Sequence, residues 1–265
     1  MSGSVRMWAV AGVVAAVVGG TTVALLVGAA GSGRSTGDGS PSGSSSPPAY
    51  LSASAARFPI VTDARVVVGG SPARVFVPLA SSVPRPPERY PLAVVVPAAG
   101  VDASQYTQFA HDVGGYGFTV VVPSSPRGSA VDASVRWARA VDLDPKAAVH
   151  GLVDPSTIVV LIARGSGLDL CVPPDSRRPN CSASGAVTAR LAFGDLGALA
   201  LTDEGRRGPR VTDAPSDLRE KQIERLARVT SWWALAHLGD TTASGVLTEL
   251  EAALPSGISL RQSAP

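Results

Sequence analysis

The sequence predicts an α/β domain, a mostly parallel central sheet flanked by helices, standing behind an N-terminal membrane-spanning helix. Three observations predict it. Short continuous apolar runs at residues 92–96 (LAVVV), 118–122 (FTVVV) and 158–162 (IVVLI) read as strands buried on both faces. Segments of helical spacing at residues 103–114 and 131–140 alternate with them, as in a sheet crossed by helices. Ahead of both, residues 7–30 carry no charged side chain, and about 20 apolar residues suffice to cross a bilayer core.

The N-terminus therefore reads as a transmembrane anchor or a signal peptide over residues 1–30. The small residues Val27, Gly28, Ala29 and Ala30 offer a cleavage site for the second case. No cysteine follows the run and Ser2 replaces the glycine that myristoylation needs, so lipid attachment is not expected. Residues 31–56 are rich in Gly, Ser and Pro, bury too little apolar surface to offset ordering, and predict a disordered linker. Residues 57–265 are then one domain with a sizeable core. The expected location is the outer face of a membrane, single-pass, or the exterior if the N-terminus is removed.

Within the domain, residues 65–68 and 73–77 flank Gly69-Gly70-Ser71-Pro72 and predict a hairpin, because glycine supplies the positive φ that tight turns require. Residues 188–193 and 198–201 are weaker strand candidates. A long helix is expected from Asp217 to Leu238, opened by Asp217 with Glu220 three residues on. Ile223, Leu226, Val229 and Trp233 form its apolar stripe and Gly239 ends it. Cys171 and Cys181 bracket a Pro-rich segment, and in an oxidising compartment a disulfide between them is the natural pairing.

The formal charge of +2 is spread along the chain, with small clusters at Arg177-Arg178 and Arg206-Arg207-Arg210, and few aromatics accompany it. Nucleic-acid binding is not expected. No Gly-rich phosphate loop, nicotinamide fingerprint or cluster of metal ligands occurs, so no cofactor and no metal is predicted.

The order of segments resembles the α/β-hydrolase superfamily, in its chlorophyllase-like, dienelactone-hydrolase-like and polyester-hydrolase-like branch. The stretch PLAVVVPAAGVDASQYTQFAHDVGGYGFTVVVP is similar to that branch's strand, oxyanion loop, helix and next strand. DPSTIVVLIARGSG resembles its strand into the nucleophile turn, and LREKQIERLARVTSWWALAHLGD its closing helix. The resemblance implies a shortened hydrolase-like fold whose oxyanion loop is Ala99, Gly100 and Val101. The family places its nucleophilic serine on a sharp strand-to-helix turn, usually G-x-S-x-G. Here Ile162 takes the first glycine position and Arg164 the nucleophile position, with Ser166 two residues beyond. No histidine occurs between Asp203 and Pro215, where the family carries its base. The catalytic candidates are Ser166, His150 as an improvised base, and Asp195 or Asp203 as acid; His111 and His237 read as structural.

The N-terminus and the resemblance together imply an exported, tethered protein without serine-hydrolase activity, which binds a small molecule, a lipid, an envelope polymer or a protein partner. The alternatives are an active carboxylester hydrolase using Ser166, and a non-catalytic tethered scaffold.

Overall fold

The structure, a computed structural model, describes residues 58, 61–79, 88–126, 128–193, 198–203, 216–252, 254 and 258–262. The anchor and linker predicted over residues 1–56 lie outside them. None of the described helices is long and apolar enough to cross a membrane.

The first two strands, β1 (Val61–Val68) and β2 (Ser71–Pro78), form the expected hairpin. Gly69 and Gly70 make its two-residue loop at φ 58° and 80°, the pair of positive values a type I′ turn demands. A side chain at Gly69 would also strike the Cβ of Ala133 at 2.7 Å. The chain continues through β3 (Tyr90–Val96), a 3₁₀ turn (Ala103–Tyr106), α1 (Thr107–Gly115), β4 (Thr119–Pro123) and α2 (Ser129–Leu143). Next come β5 (Val153–Arg164), β6 (Gly167–Val172), β7 (Val187–Ala192) and a second 3₁₀ turn (Ala198–Leu201). The last elements are α3 (Ser216–His237), α4 (Thr241–Ala252) and β8 (Ser259–Gln262).

The eight strands form one sheet in the order β1-β2-β4-β3-β5-β6-β7-β8. Only β3–β4 and β3–β5 pair in parallel. The pairs β1–β2, β2–β4, β5–β6, β6–β7 and β7–β8 are antiparallel. The predicted mostly parallel, hydrolase-like sheet is therefore corrected, among the described residues, to a mixed sheet with mainly antiparallel pairing and four α-helices. The physical reason is that a continuous apolar run reports coverage of both faces, not strand direction. Both faces are indeed covered here. Ala93, Val95, Val120, Val159, Leu161, Leu168 and Leu191 pack with α1, α3 and α4. Leu92, Val94, Val121 and Val160 point the other way, onto Val131, Val135 and Ala138 of α2.

Two further expectations change. Residues 198–201 form a 3₁₀ turn rather than a strand. Cys171 lies on β6, not in a loop, and is joined to Cys181 by a disulfide. The Asp154-Pro155 pair is inside β5, where the register against β3 jumps from Pro91↔Asp154 to Leu92↔Ile158. The carboxylate of Asp154 closes this bulge, accepting from Ser156 N at 2.9 Å and Thr157 Oγ1 at 2.6 Å. Although burial works the other way, these hydrogen bonds hold the Asp154 carboxyl below its ordinary range.

The long helix α3 ends as expected at Gly239, φ 102°. Asp240 N donates to Leu235 O and Gly239 N to Ala236 O, the paired bonds of a Schellman motif. Asp240 then caps α4 through Ala243 N at 3.1 Å. Trp232 and Trp233 are both fully buried, so α3 packs on two sides rather than along one stripe.

Candidate functional site

Pairing of β3 with β4 and β5 brings their C-terminal ends together, the edge at which open α/β sheets commonly hold ligands. The turn after β3 is built by Val101 N donating to Ala98 O at 3.1 Å, with Gly100 at φ 80° in the third position. This is the type II pattern, which needs glycine there. Ala98 N is already engaged, donating to the buried Tyr106 hydroxyl at 3.0 Å. Burial pushes the Tyr106 phenol up, against the downward pull of that N–H. Of the predicted oxyanion-loop residues, Ala99 and Gly100 are exposed at the tip and Val101 is half-buried.

The segment after β5 departs from the strand-to-helix turn that a nucleophilic serine requires. Arg164 pairs directly with Gly167, so Gly165 and Ser166 are the two loop residues of a β-hairpin. The chain turns back as a strand. Ser166 Oγ accepts from Arg190 Nη2 at 3.0 Å. Arg190 Nη1 donates to Asp169 Oδ1 at 2.8 Å, and Arg164 Nε donates to the other oxygen of the same carboxylate. A guanidinium stays charged and accepts no proton, so the group that holds Ser166 cannot activate it.

The other sequence candidates are placed elsewhere. His150 sits in the exposed turn before β5, while Ser166 follows its far end. Even allowing for the bulge, that strand separates them by roughly 30 Å at about 3.3 Å per residue. Asp203 caps α1 from a distance in sequence: its Oδ1 accepts from Gln108 N at 3.0 Å, and its N–H donates to Gln105 O. Partial loss of water pushes its carboxyl up, opposed by the hydrogen bonds from Gln108 and Thr107 and by the charge of Arg74. Arg74 itself bonds Thr107 and pairs with Asp63. This group lies with α1, on the sheet face opposite Arg190. Asp195 lies outside the described residues. His111 stands 3.5 Å from the buried Asp112 on its own helix. His237 Nδ1 donates to Trp233 O at 2.8 Å, and its ring stacks on that indole.

Sequence reasoning missed Asp169 and Arg190 because β6 was not expected as a strand. The signal was available: Leu168 and Leu170 alternate with Asp169, as Ala189 and Leu191 do with Arg190. A small open cleft of about 220 Å³ also lies between α3, α4 and β8, lined by His237, Ser244, Thr248, Glu251 and Gln262. Its hydroxyls donate to carbonyls one helical turn back and Gln262 donates to Glu251, so its polar groups serve the fold. Among the described residues no group of three His, Cys, Asp or Glu side chains could hold a metal ion. No family model matches this chain, and no curated protein is significantly similar to it.

Proposed function

We propose that this chain is an exported, membrane-tethered domain that binds its target without hydrolysing it, a degenerate relative of the α/β-hydrolases. One observation carries the reading. Ser166, the serine nearest the family's nucleophile position, lies in a two-residue hairpin loop and its hydroxyl is taken up by Arg190. Residues 90–123 supply the support for kinship, since strand, turn, helix and parallel strand follow in the order the resemblance implies. The Cys171–Cys181 disulfide fits an oxidising compartment outside the cytoplasm. Arg164 supports a binding role over a mere scaffold, because its side chain is 57% exposed and open to a ligand.

The test is an active-site-directed fluorophosphonate probe applied to the purified chain. The expected result is no stoichiometric labelling. Labelling of one serine per chain, abolished in Ser166→Ala, overturns the proposal and makes the protein a carboxylester hydrolase.

A further inference from the structure

The side chains facing away from α3 and α4 on β5–β8 form a row with a charge pattern of its own. Arg190 pairs directly with Asp169 on one side and with Arg261 on the other, so all three stand on one face. Arg164 joins them from the end of β5 through Asp169. Arg164 and Arg190 thus share one carboxylate and Arg261 stands beside them, leaving a net two positive charges among these described side chains on a patch about 14 Å wide at about 4.8 Å per strand. The arginines are open to solvent: Arg164 and Arg190 side chains are 57% and 43% exposed, and Arg261 is exposed. No carboxylate among the described residues pairs with Arg261. Like charges placed directly opposite on neighbouring strands repel, yet Arg190 and Arg261 hold that position. Among the described residues, α2 packs mainly on β5 and β3 of this face, with at most marginal contact to β6, β7 or β8.

We propose that this face of β5–β8 docks a linear phosphodiester polymer, with Arg190 and Arg261 forking successive phosphates and Arg164 flanking them. The proposal rests on the binding reading above and supplies its ligand class. Guanidinium matches the oxygen geometry of phosphate, and a flat row of such groups suits a repeating anion better than one small molecule. The large exposed hydrophobics among the described residues are Val67, Leu79 and Leu143, on other elements. Among the described residues the face therefore has no apolar wedge to enter a bilayer. The described residues of β5–β8 carry no aromatic platform on which bases would stack either, which favours a base-free polymer over nucleic acid.

The full chain, kept in an uncharged detergent, is titrated with fluorescently labelled poly(glycerol phosphate). Saturable binding is expected, with log K falling against log salt at a slope of about −1.5. Arg261→Gln weakens binding roughly tenfold and flattens that slope by about 0.7. Arg178→Gln, beyond the other end of β6, leaves it unchanged. Three results overturn the proposal: no saturable binding, equal loss in the two variants, or preferential capture by phosphatidylglycerol vesicles or polyadenylate. Fluorophosphonate labelling is read separately, so a chain that neither labels nor binds the polymer removes this proposal and leaves the non-hydrolytic reading in place.

Discussion

Gly165 and Gly167 flank Ser166 symmetrically in sequence, and the two turn types assign them different burdens. In the hairpin, a Cβ on Gly167 would stand 2.5 Å from Leu191 O and 3.3 Å from Ala192 Cα, both backbone atoms of β7. A relaxed carbon–oxygen approach is about 3.3 Å, so the strands must part by roughly 0.8 Å. The next rung, Phe193 N to Ser166 O at 3.0 Å, stretches with them. Overpacking of this kind costs about 1–3 kcal/mol, and weakening one buried bond adds about 1 kcal/mol. Gly167→Ala should therefore destabilise by roughly 2–4 kcal/mol, a fall in Tm of about 5–15 °C for a domain of this size. Gly165 meets nothing within 4 Å and is not at positive φ, so Gly165→Ala should change stability by no more than about 0.5 kcal/mol or raise it slightly. Thermal and urea unfolding of both variants measures the difference. Equal effects, or a larger one at Gly165, would refute the hairpin and restore a cramped strand-to-helix turn.

Three other outcomes follow from the same structure. The Cys171–Cys181 bridge closes a loop of sequence separation 10, so replacing both cysteines by serine should cost about 2.5 kcal/mol in denaturant unfolding. Asp203→Ala removes the acceptor from Gln108 N and should destabilise α1 by about 1 kcal/mol, seen as faster amide exchange at its first turn. Asp154 has a folded-state pKa below its unfolded one, so its contribution is present above the unfolded value and disappears as pH falls through the folded value. Asp154→Asn should then lower stability at neutral pH, and the gap to the parent should close in acid; a gap independent of pH would rule this out.

Much of the sheet's centre is legible in the sequence. The apolar runs that become β3, β4 and β5 are buried on both faces, which no competing structure of that length explains, and Gly69-Gly70 marks its own turn. The far half is not legible, and the reason is local. Arg164-Gly165-Ser166-Gly167 permits either a hairpin or a strand-to-helix turn, since glycine tolerates both backbones. The choice depends on β7 being present to receive β6, a contact made only in the folded chain. Once β6 is missed, the carboxylate of Asp169 has no visible neighbours and the arginine row cannot be assembled. α4 carries Gly245 in its interior and β8 is four residues long, so neither announces itself by periodicity. The positions of Arg164 and Ser166 at the end of β5 were readable from their order; what holds them was not.

The strand β8 also sets the order in which the molecule can be completed. The hairpins β5–β6 and β6–β7 join near neighbours, the second with its loop shortened by the disulfide. β8 must instead find β7 across about 70 residues. Closing a loop of that length costs more chain entropy than closing either hairpin, and α3 and α4 lie between the two strands in the chain. Until β8 pairs, β7 stands as an open edge, offering unpaired N–H and C=O groups to any passing strand. Without β8 that edge stays unpaired, and Ser259–Gln262 both covers it and brings in the last arginine of the charged row.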